Sequence, residues 1–189
     1  MNALIVSRFP ILFRFVLAFF ALLPFGAAHA AKASEIDAGV DAAVAEFRKG
    51  VEGADEYLKA AKALLVVPQV QKVGLIVGGQ WGEGALRIQG KTVDYYKMEA
   101  ASVGFQAGYQ KANYVFIFLT DDALDKFRAS EGWTAGADTG VTLMDKNIGV
   151  SVDTLKAKSS VVAFIFGEEG LMGGYSLKGE KFSKFTPEK

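Results

Sequence analysis

The chain has 189 residues, with 21 Lys and Arg against 21 Asp and Glu, one His and no Cys. Without cysteine there can be no disulfide framework, thiolate metal site, acylated cysteine or cysteine nucleophile, and the balanced charge provides no global field to draw the chain onto nucleic acid. The only histidine, His29, lies in a segment expected to be removed, so the mature chain has no imidazole for a triad, a zinc site or acid–base chemistry.

The N-terminal segment carries Arg8 and Arg14 but no acidic residue, then an uninterrupted apolar run from Phe15 to Leu23, broken by Pro24 and Gly26. Ala28-His29-Ala30 places small residues where a signal peptidase reads, so residues 1–30 are expected to be a signal peptide cleaved after Ala30. The rival is a retained anchor, but the stretch contains Arg14 and falls short of the roughly 20 apolar residues a spanning helix needs. A periplasmic or secreted location follows as the expectation. Loss of Arg8 and Arg14 turns the balance of 21 and 21 into a net charge of −2, and about 159 residues remain, enough for one domain.

From Ser34, the residues Ile36, Val40, Ala43, Val44 and Phe47 recur at helical spacing, Ser34 with Asp37 resembles a capping box, and Gly50 and Gly53 mark the end. A second helix is expected over Asp55 to Leu65, with Tyr57, Leu58, Ala61, Leu64 and Leu65 inward, because Pro68 cannot continue it. Beyond Pro68 the chain reads as strands. They are expected at Val73–Val77, Gly84–Ile88, Val93–Tyr96, Ser102–Tyr109, Tyr114–Leu119, Thr139–Met144, Val161–Phe166, Gly173–Lys178 and Lys181–Phe185, with a Gln89-Gly90 hairpin turn. One helix interrupts them, capped by Asp121 or Asp122, turning Ala123, Leu124 and Phe127 inward and ending near Gly132. The pattern predicts an α+β fold: N-terminal amphipathic helices packed on a curved or barrel-like antiparallel β-sheet with one inserted helix.

The glycines from Gly74 to Gly84 invite a phosphate-loop reading, but the spacing to Gly90-Lys91-Thr92 is one residue too long and no helix follows, so glycines at bends or close approaches in a sheet are favoured. Tyr114, Phe116 and Phe118 alternate with Val115, Ile117 and Leu119, so that strand is covered on both faces, and Val161 to Phe166 repeats the pattern. Phe116, Phe118 and Phe164 are therefore either core or the wall of an apolar lipid site. Arg48, Lys49, Lys59, Lys62 and Lys72 can form a cationic edge along the N-terminal helices suited to anionic headgroups, or ordinary solvated faces among Glu46, Glu52, Asp55 and Glu56. Arg87, in a strand near Glu83, is either a further headgroup contact or an ion-paired arginine. The adjacent carboxylates Asp121/Asp122 and Glu168/Glu169 read as a cap and a turn. No catalytic residue, metal site or cofactor is expected; a carboxylate hydrolase would need two carboxyls about 5 to 9 Å apart in a cleft.

Ala61-Lys-Ala-Leu-Leu-Val-Val-Pro68, Lys72-Val-Gly74, Gly78-Gly79, Trp81-Gly-Glu-Gly-Ala-Leu-Arg87, Tyr95-Tyr96 and Ser102-Val-Gly-Phe-Gln-Ala-Gly108 together resemble the SYLF lipid-binding domain. Phe116-Ile-Phe-Leu-Thr-Asp121, Val162-Ala-Phe-Ile-Phe166 and Gly170-Leu-Met-Gly-Gly174 continue the resemblance in the same order. It spans about residues 55–189, after a helical segment at 31–54. It implies a non-enzymatic module: eukaryotic members bind phosphoinositide membranes through a basic amphipathic helix and some bind actin, whereas bacterial members are exported lipid-binding proteins. By position that helix corresponds to the one holding Arg48, Lys49, Lys59 and Lys62. Actin is not expected as a partner of an exported chain. The expected function is binding of phospholipid or another amphiphile at the cell envelope, with peripheral membrane contact. The alternative is an envelope structural or interaction protein that offers exposed sheet edges to a protein partner.

Overall fold

The computed structural model describes residues 31–74, 77–103, 108–136, 139–170, 177 and 179–188. The expected signal peptide (1–30), most of the expected strand Gly173–Lys178 and the stretch Leu171–Gly174 of the resemblance lie outside them. Residues 31–189 form one compact unit.

Helix α1 spans Ala33–Gly50 and buries Ile36, Val40, Ala43 and Phe47. The expected capping box does not form: Lys32 stands at the N-cap without a side-chain cap, and the Ala33 N–H donates instead to the Glu188 carbonyl at 3.1 Å. Asp37 is drawn away to the sheet, where its carboxylate accepts from Thr92 Oγ1 (2.7 Å) and the Tyr95 hydroxyl (2.9 Å). Helix α2 is shorter than expected, Ala54–Ala60, and opens from Gly53 in the left-handed region.

Strand β1, Ala63–Gly74, takes over where the helix was predicted to continue. Leu64-Leu-Val-Val67 is apolar on both sides and β-branched in part. As a central strand between β2 (Val77–Ile88) and β4 (Gly108–Phe118), β1 buries Leu65 and Val67 on one face and Val66 on the other, which a helix with one apolar stripe could not do. Pro68 is accommodated inside this strand by a bulge. Register shifts on both sides of it, Gln69 has φ 50°, and its N–H donates to the Asn113 side-chain oxygen at 3.0 Å. Opposite the bulge, a Cβ on Gly84 would meet Val67 Cα at 2.8 Å, so glycine there lets the two backbones approach.

Strand β3 is Lys91–Val103, joined to β2 by the Gln89-Gly90 turn with both φ values positive, as expected. Val73–Val77 and Ser102–Tyr109 are not single strands: Val73 belongs to β1 and Val77 to β2, Ser102 to β3 and Tyr109 to β4, with residues 75–76 and 104–107 outside the described part. The remaining elements are α3 (Asp121–Ala129), β5 (Trp133–Thr134), β6 (Val141–Met144), α4 (Val152–Lys158), β7 (Val161–Gly170) and β8 (Lys181–Phe185). The cap of α3 is Thr120, whose hydroxyl accepts from the Ala123 N–H at 3.3 Å, so neither Asp121 nor Asp122 performs that role. A second inserted helix, α4, is added to the one predicted; Ser151 caps it.

The eight strands make one curled half-barrel sheet in the order β5-β8-β3-β2-β1-β4-β7-β6. All pairs are antiparallel except β6 with β7, which the crossover through α4 makes parallel. Apolar side chains fill both faces. One core holds Leu65, Leu86, Met98, Phe116 and Phe118 under α3 and Trp133; the other holds Val66, Val115, Ile117, Phe164 and Phe166 under α1, α2 and α4.

Candidate functional site

On α1 the residues Asp41, Val44, Ala45 and Arg48 lie on one flank beside the buried stripe, following helical spacing. Leu58 of α2, Leu64 of β1, Arg87 of β2 and Gly90 of the β2–β3 turn face them, and together these groups line a groove of about 350 Å³. Val44, Ala45, Leu58 and Leu64 give it aliphatic walls, and its charged groups are the two guanidiniums and the Asp41 carboxylate. Arg48 and Arg87, both expected headgroup contacts, are thereby brought together by elements 39 positions apart in sequence.

Arg87 is firmly held. Its side chain is 14 % exposed, with Nη1 2.5 Å from Asp41 Oδ1 and Nη2 3.8 Å from Asp37 Oδ1. Nη2 also donates to the Asp37 carbonyl at 3.3 Å, and Nε to Thr92 Oγ1 at 3.4 Å. Tyr95 completes this polar clamp; burial first, then its bond to the Asp37 carboxylate, raises its pKa above the ordinary tyrosine value. Arg48 is less constrained by comparison: it is exposed and, among the described residues, pairs with the exposed Asp55 at 3.3 Å. An ion pair of that kind contributes little and exchanges readily. The groove thus offers one anchored and one adjustable guanidinium above an aliphatic floor, a combination that can take an anionic headgroup with part of an apolar chain.

The other expected cations are elsewhere. Lys49 and Lys59 are exposed on α1 and α2, Lys62 pairs with Asp121 at 3.0 Å, and Lys72 is half-buried on β1, on the sheet face opposite α1. Phe116 and Phe118 pack in the core under α3, with ring centroids 5.0 Å from Phe182 and Phe127 respectively. Phe164 lies in the other core, 5.1 Å from Phe47 and 5.2 Å from Tyr57. All three are fully buried and the sheet separates them, so they line no common site. Of the acidic pairs, Asp121, Asp122 and Glu168 each pair with a lysine: Lys62, Lys126 and Lys146. Two further grooves occur among the described residues, about 250 Å³ beside Leu143 and Lys146 and about 500 Å³ beside Lys126 and Trp133; neither contains a residue expected to bind lipid.

Sequence reasoning missed Asp41, Val44 and Leu58. The helical offset of Asp41, Val44 and Arg48 was a usable signal, whereas Leu58 joins only through tertiary packing.

Residues 99–187 match the family model Ysc84, described as Las17-binding protein actin regulator. No curated protein matches the chain. The match begins within β3 and runs past β8, so the groove residues 41–90 precede it.

Proposed function

From the match of residues 99–187 to the SYLF (Ysc84) family model, we propose that this is a non-enzymatic lipid-binding protein of the cell envelope that takes a phospholipid or similar amphiphile at its surface. The observation that carries the reading is the groove where Arg48 and Arg87 stand over Val44, Leu58 and Leu64. Close packing of Phe116, Phe118 and Phe164 favours this surface groove over an internal acyl cavity. Export is supported by the signal-like sequence of residues 1–30.

The test is co-sedimentation of the exported protein with phosphatidylglycerol-containing and pure phosphatidylcholine vesicles. Arg48→Glu should weaken binding to the anionic vesicles at least several-fold, and Leu58→Asp should do the same at high salt, where Coulomb attraction is screened. No binding to any vesicle would refute the reading. Arg87 is unsuitable as the first target because its removal also loosens α1.

A second reading has a specific observation behind it. The description of the matched model names a protein partner for that family, and β6 is an edge strand of four residues with Leu143 exposed. An extended segment of an envelope protein could add to that edge. A complex that survives delipidation and is lost on Leu143→Pro would favour it.

A further inference from the structure

Four large apolar side chains are exposed together at the end of the sheet away from the groove: Val73 (41 %), Val77 (58 %), Trp81 (45 %) and Tyr109 (42 %). Their proximity follows from register. Val73 on β1 is paired with Gly79 on one side and Tyr109 on the other. Val77 and Trp81 lie two residues either side of Gly79 on β2, so they share its face and are the diagonal neighbours of Val73. This is the face that carries α1, beyond the point where α1 begins; the Ala31 N–H is held by Glu83 at 3.0 Å, and nothing among the described residues covers the sheet farther on. Trp81 and Arg87 are six residues apart along β2, about 20 Å.

Charge is confined to the borders of this end, where Glu99 is the cross-strand partner of Trp81. The sequence has no Asp, Glu, Lys or Arg between Lys72 and Glu83, or between Glu99 and Lys111. On this face the bordering charges fall in cross-strand pairs, Glu83 with Lys97, Glu99 with Lys181 and Lys111 with Glu169, while Lys72 lies on the opposite face. Glu83 is satisfied by Lys97 at 3.3 Å, and the Lys111 ammonium lies 5.9 Å from the Tyr109 ring centroid. An indole and a phenol beside two valines, glycines between them and a border of no net charge match the water–hydrocarbon boundary of a bilayer, where amphipathic aromatic rings are enriched. A protein partner would be expected to meet a pocket for its anchors, and none of the described grooves opens among these residues.

We propose that Val73, Val77, Trp81 and Tyr109 form a membrane-contacting surface that enters the interface of a neutral phospholipid bilayer by apolar insertion. The inference rests on the lipid-binding reading above and specifies a surface separate from the groove. A membrane touched here leaves the Arg48–Arg87 groove about 20 Å along β2, at the other end of the sheet. Because the border is electrically neutral, contact at this end requires no anionic lipid and is insensitive to salt, whereas groove binding has a Coulomb part that anionic lipid strengthens and salt weakens.

The experiment uses the exported protein and vesicles of phosphatidylcholine brominated on its acyl chains. The chain has two tryptophans, and Trp133 is buried in the core, so a Trp133→Phe background isolates Trp81; should that variant fail to fold, the difference between parent and Trp81→Phe replaces it. The expected result is quenching of Trp81 by the brominated chains, unchanged by 0.5 M salt, at about that order of ionic strength. Trp81→Ser with Val77→Ser should lower partition onto neutral vesicles about tenfold or more, with an unaltered urea midpoint. If the parent binds vesicles but Trp81 is not quenched and the double variant binds equally well, the inference is overturned and the lipid-binding reading stands. If the parent binds neither neutral nor anionic vesicles, both are overturned.

Discussion

Arg87 on β2 and Asp41 on α1 face each other at 2.5 Å, and this pair, with Asp37, is the polar seam that fixes the first helix to the β2–β3 hairpin. Hydrophobic contact through Val40 and Phe47 holds α1 against the sheet but is non-directional. The guanidinium, bonded to Asp37, Asp41 and Thr92, sets where along the hairpin the helix rests.

Arg87→Met should therefore destabilise the protein by about 1–2 kcal/mol. Its near-buried guanidinium leaves Asp37 short of a partner, while the 69 % exposure of Asp41 limits the loss. A lower urea midpoint at constant m-value is the expected outcome.

Two glycines should respond differently to alanine. At Gly84 the new methyl would press on the backbone of Val66 and Val67, which cannot yield without separating β1 from β2. Gly84→Ala should cost about 3 kcal/mol or prevent folding. At Gly90, φ is 78° and the space beside it is open, so Gly90→Ala should cost only about 1 kcal/mol and Gly90→Asn less. Equilibrium unfolding of the three variants checks the order.

Tyr57 is fully buried, and its hydroxyl both donates to the Val150 carbonyl (2.9 Å) and accepts the Val150 N–H (2.8 Å). Tyr57→Phe should cost about 1–3 kcal/mol, because it strands two backbone groups in a part-buried place while preserving the ring contact with Phe164. Amide exchange at Val150 should accelerate in the variant by a larger factor than global unfolding explains.

Tyr96 should give the protein an alkaline limit. Burial, reinforced by the neighbouring Asp94 carboxylate, pushes its pKa up to about 12 from an ordinary 10.0. The folded state holds this proton more tightly, so the contribution is complete below about pH 10 and is lost as pH rises from there through about 12. At pH 11 the loss from this residue should be about 1 kcal/mol, seen as a lower urea midpoint than at pH 8. Tyr96→Phe should remove that part of the slope.

Phe164→Leu should lower stability by about 1–2 kcal/mol, since Phe47 and Tyr57 lose an edge contact and a small void opens. Binding to vesicles, measured where the variant is folded, should not change.

Much of the architecture was legible locally. The helical stripe Ile36, Val40, Ala43, Phe47 and the two-faced strand Tyr114 to Leu119 were read correctly, because a side chain's face is set by the period of its own element. The positive φ at Gln89 and Gly90 follows equally from a two-residue turn. The α2–β1 boundary was not legible: Leu64 to Val67 suits either a helix stripe or a buried strand, and β2 and β4, which decide it, lie farther along the chain. Pro68 was read as a helix stop and proved to be a bulge inside a central strand, secured by Asn113.

The sequence by itself determined the α+β class, the amphipathic first helix, the doubly covered aromatic strands and the residue types left for chemistry, since each depends on composition or on neighbours a few positions apart. Only the tertiary structure decided that Phe116 and Phe118 lie on the opposite side of the sheet from Phe164, that Arg48 and Arg87 share one groove, and that Val73, Val77, Trp81 and Tyr109 meet at the far end. Those outcomes depend on strand order and register, which are set by burying both faces of one curled sheet at once and are invisible to any window of the chain.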